Sequence, residues 1–139
     1  MTATSLDSTL RPSGDARRSL VLALRADAAI TGAFGALIGA ASPLLDGWLG
    51  IDAALLLALG VVLVGYALVL ELVVARRPTR ALVWEVIVLN TLWVAASVVA
   101  VVTDALALTT LGTVFVLAQA AAVTVLAYLQ YLALRRTRT

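Results

Sequence analysis

The sequence predicts an all-α integral membrane protein, an antiparallel up-and-down bundle of four transmembrane helices. Of its 139 residues, 63% are apolar and only 13% are charged, and the mean hydropathy is +1.06. Soluble domains carry about 25% charged residues. Apolar windows of about 20 residues, the length that a bilayer core requires, recur at about 19–42, 52–75, 80–102 and 109–134. These long runs exclude an outer-membrane β-barrel, whose strands alternate apolar and polar residues.

The first window follows a polar segment, residues 1–17, which has no apolar periodicity and is expected to be a flexible cytoplasmic tail. A signal peptide is the alternative interpretation, but its apolar region is about 7–15 residues long, shorter than this window. Ser42-Pro43 is predicted to end the first helix and to begin a loop over 43–51. The transmembrane domain is expected to cover 18–136, with 137–139 as the end of a second cytoplasmic tail.

The later helices are bounded by recognisable turn and capping residues. Asp52 is a predicted N-cap for the second helix, and Thr79, at the end of a tight turn over 76–79, is one for the third. Thr109 or Thr110 is predicted to cap the fourth. Because the loops are short, sequential helices are expected to be antiparallel neighbours.

The basic residues, all of them arginine, collect at alternate ends of the windows. Nine of the ten lie before the first window, between the second and third, or after the fourth: Arg11, Arg17, Arg18, Arg76, Arg77, Arg80, Arg135, Arg136 and Arg138. Arginine near helix ends is retained on the cytoplasmic side, so both termini are predicted to be cytoplasmic. The use of arginine without lysine is typical of a GC-rich bacterial genome, and the expected location is the bacterial cytoplasmic (inner) membrane.

Four charged residues lie inside the windows and away from their ends: Arg25, Asp27, Glu71 and Glu85. Each costs ~2.5–3.5 kcal/mol at the bilayer centre on insertion scales. A rise of 1.5 Å per residue puts all four in one layer near the cytoplasmic side, where they are predicted to form a buried polar cluster with Arg25 between Glu71 and Glu85. Such a cluster is either a structural latch or, through a shared proton, a proton site. In a third alternative, loop arginines reach in to neutralise it.

Uncharged polar residues lie nearer the middle of the later helices. Asn90 and Gln119 are predicted to face the bundle interior, because an unpaired amide is costly in lipid. With Trp93 they form either a ligand pocket or a set of interhelical packing contacts. Small residues at Gly32, Gly35 and Gly39 predict a helix–helix packing face, within the chain or across a dimer.

The side-chain inventory excludes several kinds of chemistry. The chain has no cysteine and no histidine, so thiol nucleophiles, imidazole ligands and Ser-His-Asp catalysis are excluded. No catalytic residue, metal site or cofactor is therefore expected. Nucleic acid is not an expected partner either, because the arginines are not interleaved with aromatic residues on a soluble face.

Three segments carry a resemblance to known proteins: LRADAAITGAFGALIGA in the first helix, NTLW at 90–93, and YLQYLALRR at the end of the last helix. The chain resembles small bacterial four-helix inner-membrane proteins without an assigned function, with a DoxX-like layout. The resemblance implies the fold over about 18–136 and transfers no functional site. The chain is also similar in size and helix count to small multidrug transporters, which use a carboxylate in the first helix. It departs from them in having Arg25 close to Asp27 and a one-sided charge distribution.

The function expected from these observations is non-enzymatic. The protein is expected to bind an apolar ligand or lipid, or to serve as an accessory subunit of a larger membrane complex. The alternative is a proton-coupled small transporter that acts as a homo-oligomer, since four short helices can hardly enclose an aqueous path alone. A membrane enzyme would have to use Asp and Glu side chains only.

Overall fold

A computed structural model describes residues 14–76 and 78–137, which form four long helices and one short one. The helices are α1 (Gly14–Ala40), α2 (Ser42–Leu49), α3 (Ala53–Ala75), α4 (Arg80–Val102) and α5 (Thr110–Arg136). Each of the four long helices is long and apolar enough to cross a membrane. The all-α class and the four predicted spans are confirmed, and this is the pattern of a multi-pass membrane protein. Predictions about residues 1–13, Arg77 and 138–139 lie outside the described residues.

The structure differs from expectation at the start of α1 and around the first predicted loop. α1 begins at Gly14, so residues 14–17, assigned to the tail, are helical. The predicted loop over 43–51 was wrong, because most of it forms α2, with Pro43 in the first turn. Proline suits that position since its missing N–H has no partner to lose there. Gly50 then ends α2 at φ 71°, a left-handed conformation that glycine adopts without strain.

The predicted helix caps form as expected. The Oδ1 atom of Asp52 accepts hydrogen bonds from the backbone N–H groups of residues 54 and 55, at 2.9 and 3.2 Å. The hydroxyl of Thr79 accepts one from the N–H of Leu82 at 3.4 Å. Of the two candidates for the last helix, Thr109 is the cap, and its hydroxyl accepts from the N–H of Gly112 at 3.0 Å. These caps satisfy N–H groups that the first helical turn leaves without partners.

The order of the long helices around the bundle is α3, α1, α5, α4. α1 packs against α3 and α5, and α4 packs against α5. No Cα atom of α3 lies within 8 Å of one in α4. Around this ring α3 and α4 are still neighbours, as predicted for sequential helices, and Leu70 of α3 shares a buried apolar cluster with Val83 of α4. Their backbones are more widely spaced than those of α1 and α3.

Small residues bring α1 and α3 into close contact. A Cβ atom added to Gly35 would stand 2.9 Å from the carbonyl oxygen of Gly60, and one added to Gly32 would stand 3.0 Å from the Cβ of Ala67. The Cα of Gly60 would also lie 3.6 Å from a Cβ on Gly39. The predicted packing face of α1 thus meets α3 of the same chain, and Gly60, outside the predicted set, completes the contact.

The two ends of the bundle differ in charge. Six described arginines lie where α1 and α4 begin and where α3 and α5 end, and we call this the arginine end: Arg17, Arg18, Arg76, Arg80, Arg135 and Arg136. A buried apolar cluster that includes Leu24, Leu70 and Val83 fills the bundle there. A second cluster around Leu49 and Leu56 fills the opposite end. α2 is fastened to the start of α5, because the N–H of Thr109 donates to the carbonyl of Leu49 at 3.1 Å.

Candidate functional site

A cavity of about 450 Å³ lies between the two apolar clusters and is lined by all four long helices. Its lining is mostly apolar and includes four aromatic residues, Phe34, Tyr66, Trp93 and Phe115. Val62 of α3 and Leu89 of α4 border the cavity and are 62% and 52% exposed. Because these lining residues are exposed and the backbones of α3 and α4 are widely spaced, the cavity reaches the outer surface between these two helices. In a membrane this opening would face the lipid chains.

A buried carboxylate lies beside the cavity, on the side of the arginine end. Asp27 of α1 is 1% exposed. Its Oδ2 atom accepts hydrogen bonds from the side chains of Gln130 at 2.7 Å, Asn90 at 3.0 Å and Tyr66 at 3.3 Å. Its Oδ1 atom accepts one from the hydroxyl of Thr31 at 3.1 Å. The Asp27 cluster, made of these five residues, therefore joins all four long helices.

The Asp27 cluster is fully hydrogen-bonded. Asn90 also donates to the Oε1 atom of Gln130 at 3.3 Å, and Gln130 is completely buried. No buried side-chain nitrogen or oxygen of the described residues lacks a partner. The described partners of Asp27 are all neutral donors, which stabilise a carboxylate without cancelling its charge. They hold it within the bundle wall, where it is shielded from a molecule in the cavity by one layer of side chains.

The predicted buried cluster of Arg25, Asp27, Glu71 and Glu85 does not form as such. The Nε atom of Arg25 lies 3.2 Å from Oε1 of Glu71, so that ion pair is present, but the two side chains are 55% and 48% exposed. Glu85 is exposed on α4 and makes no ion pair with Arg25. The prediction is wrong because Arg25, Glu71 and Glu85 lie on exposed faces of their helices, whereas Asp27 faces the interior from the opposite side of α1.

The other predicted residues lie together on the cavity wall. The indole N–H of Trp93 donates to Oε1 of Gln119 at 2.8 Å, and the Nε2 atom of Gln119 donates to the hydroxyl of Ser97 at 3.0 Å. Both Trp93 and Gln119 line the cavity, as does Asn90. The amides of Asn90 and Gln119 face the interior and make interhelical hydrogen bonds. Because both residues also line the cavity, the alternative that they bind a ligand stays a prediction.

Three members of the Asp27 cluster were missed at the sequence level: Thr31, Tyr66 and Gln130. Gln130 follows Gln119 by 11 residues, three turns of helix, so a shared interior face was visible. Tyr66 is, with Glu71, one of two polar side chains in α3. A tyrosine in such an apolar helix needs a partner for its hydroxyl, and that requirement is the signal that could have identified it.

The carboxylate of Asp27 is separated from the space inside the cavity. Asp27 is enclosed by four donors and does not line the cavity, so it cannot reach a bound molecule to take or give a proton directly. Two of the lining rings, Phe34 and Phe115, stack with 5.5 Å between their centroids. A search of protein-family models, curated proteins and solved structures finds no match to this chain.

Proposed function

We propose that this protein binds an apolar molecule, taken from the membrane, in the cavity between α3 and α4. The observation that carries the proposal is a mostly apolar cavity of about 450 Å³ with a sideways opening at mid-bundle. This volume falls within the range of roughly 300–1,000 Å³ that small-molecule sites occupy. A ligand dissolved among lipid chains would reach the cavity without crossing water.

The proposed setting is the bacterial cytoplasmic membrane, with both termini inside. The six arginines of the arginine end support this orientation, because basic residues at helix ends are retained on the cytoplasmic side. A single cysteine introduced at Asp46 should react with an impermeant thiol reagent in intact cells, whereas labelling of one introduced at Arg76 would contradict the orientation.

The binding proposal is tested by filling the cavity. Ala122 lines it, and its neighbour Ala121 is exposed and does not. Ala122→Phe should weaken binding of a neutral brominated arene such as dibromobiphenyl at least tenfold. Ala121→Phe places the same ring on the outer surface and should leave binding unchanged.

The readout is quenching of Trp93, which lines the cavity. Trp48 and Trp84 are replaced by Phe, so that Trp93 is the only tryptophan of the three left. Saturable quenching by the bromine atoms is expected in this background and in its Ala121→Phe derivative. The proposal fails if Ala122→Phe and Ala121→Phe give the same quenching curve.

A second candidate function, a proton-coupled small transporter acting as a homo-oligomer, is favoured by one observation, the buried carboxylate of Asp27. It no longer depends on Glu71 or Glu85, which are exposed. Proton flux into liposomes should then disappear in Asp27→Asn and persist in Glu71→Gln. Flux that is absent from the unmodified protein, or unchanged in Asp27→Asn, contradicts this candidate.

A further inference from the structure

We propose that the molecule bound in the cavity is a hydrophobic cation, and that the carboxylate of Asp27 is its counter-charge. This inference rests on the proposed function, because it presumes that the cavity binds a ligand, and it adds the charge of that ligand. It follows from three features of the site: the distance from the carboxylate to the cavity, the neutrality of its partners, and the aromatic lining.

Asp27 lies one layer of side chains behind the cavity wall. Its Oδ2 atom is 3.0 Å from the Nδ2 of Asn90 and 3.3 Å from the hydroxyl oxygen of Tyr66, and both of these residues line the cavity. A cation in van der Waals contact with them, with its charge inside a shell of apolar substituents, would carry that charge roughly 10 Å from the carboxylate. At an effective dielectric constant of about 20, charges at that separation change an affinity by more than about tenfold.

The charge of Asp27 has no cationic partner among the described residues. All four of its hydrogen-bond donors are neutral. The nearest arginine along the chain, Arg25, pairs with Glu71 on the outer surface instead. An ionised Asp27 therefore gives the cavity a negative potential, which favours a cation and disfavours an anion such as a fatty acid.

The aromatic lining suits the same ligand. Phe34, Tyr66, Trp93 and Phe115 line the cavity from all four long helices. The faces of aromatic rings carry partial negative charge and attract cations. A cation whose charge is shielded by apolar substituents also loses little hydration on entering a dry cavity. Quaternary phosphonium and delocalised aromatic cations combine these properties and dissolve in membranes.

The test compares two ions of the same size and shape and opposite charge, tetraphenylphosphonium and tetraphenylborate. Binding is measured by equilibrium dialysis of the protein in a neutral detergent, and the Ala122→Phe protein supplies the background from micelle partition. The unmodified protein should bind the phosphonium at least tenfold more tightly than the borate. Equal affinities, or a preference for the borate, overturn the cation proposal.

Dibromobiphenyl separates this failure from failure of the proposed function. If the neutral probe still quenches Trp93 in a way that Ala122→Phe abolishes, the cavity binds ligands and only their inferred charge is wrong. If no probe binds in a cavity-dependent way, both proposals fail.

Asp27→Asn tests the source of the preference. It removes the charge with little change of shape, and Glu71→Gln is the matched control, because it removes a carboxylate outside the cavity. The ratio of the affinity for tetraphenylphosphonium to the affinity for tetraphenylborate should fall at least tenfold in Asp27→Asn and stay the same in Glu71→Gln. Folding of Asp27→Asn is checked by size-exclusion chromatography. If the variant elutes as the unmodified protein does and its ratio is unchanged, Asp27 is not the counter-charge. If Asp27→Asn does not fold, the ratio measured for the unmodified protein still decides the cation proposal.

Discussion

Asp27 and Arg25 are two residues apart in α1, yet their surroundings are opposite. The carboxylate of Asp27 is 1% exposed and accepts four hydrogen bonds from all four long helices. The Arg25 side chain is 55% exposed and makes one ion pair, with Glu71 of α3. One charged group is built into the interior of the bundle, and the other lies on its surface.

The difference shows that the face of a helix decides the burial of a charge more than its depth in the membrane. Two residues correspond to about 200° of rotation around a helix and only about 3 Å along it. The depths of Asp27 and Arg25 are therefore nearly equal, and only their directions differ. A layer of charges at one depth is consequently not a cluster until the helix faces are known.

The largest expected effect is that of Asp27→Leu. It leaves the donors of Asn90, Gln130 and Tyr66 buried without their acceptor, at a cost of about 1–3 kcal/mol for a single such group. We expect the free energy of unfolding to fall by about 3 kcal/mol or more, measured by denaturation with sodium dodecyl sulfate in mixed micelles. Ala26→Leu, on the exposed side of α1, is the control. Equal stability of the two variants would mean that the buried Asp27 contributes no more to stability than an exposed residue of α1.

The next effect is that of Gly60→Val. It should disturb both Asp27 and Arg25, because α3 supplies a partner to each of them. A Cβ at Gly60 would lie 2.6 Å from the carbonyl oxygen of Gly35, so α1 and α3 must move apart. We expect a loss of about 1–3 kcal/mol, the usual cost of overpacking. At Gly65 a Cβ would meet nothing within 4 Å, so Gly65→Val in the same unfolding assay should be close to neutral. A smaller loss at Gly60 than at Gly65 would contradict the close α1–α3 contact.

A smaller loss of stability is expected for Gln119→Leu. Gln119 is an uncharged polar residue on the cavity wall, so this variant shows how much an interior polar group contributes when it carries no charge. Two interhelical hydrogen bonds disappear, to Trp93 and Ser97. At about 0.6 kcal/mol each in a membrane, the expected loss is about 1 kcal/mol. Thr124→Val is the control, because that hydroxyl bonds only to a carbonyl of its own helix. Unchanged stability in Gln119→Leu would count against a packing role and for a ligand-facing one.

The smallest effect is expected for Arg25→Ala. An ion pair between two half-exposed side chains contributes about 0–1 kcal/mol, so the figure of about 3–5 kcal/mol that applies to a pair removed from water does not apply here. A double-mutant cycle with Glu71→Ala measures the coupling between the two side chains. A coupling above about 2 kcal/mol would mean that this pair is as well enclosed as the Asp27 cluster.

The parts of the fold that local sequence determines could be predicted. Each of the four spans follows from a run of apolar residues, and Asp52, Thr79 and Thr109 cap helices because their oxygens can reach N–H groups within three residues. The short helix α2 was missed, since eight residues between two spans give too little periodicity to identify. Pro43 was interpreted as the end of one helix, whereas it lies in the first turn of another.

The Asp27 cluster could not be predicted because it depends on the order of the helices around the bundle. Four of its five hydrogen bonds join residues 39 to 103 positions apart. Short loops indicate which helices are antiparallel, but they do not determine how closely each pair packs. The close contact of Gly35 with Gly60 attaches α3 to α1 instead, and that contact depends on shape rather than on polarity.

The helix order also has a consequence for how the protein is assembled during its synthesis. α1 and α3 form one closely packed pair, α4 and α5 form another, and the chain passes from the first pair to the second between Ala75 and Arg80. When the first pair enters the membrane, Asp27 has only Thr31 and Tyr66 as partners, and the two amides arrive with the second pair. The last hydrogen bonds to form are therefore those that join the two halves. Asp27 thus holds unfilled acceptor positions until the second pair docks, and only one alignment of that pair fills them with both Asn90 and Gln130.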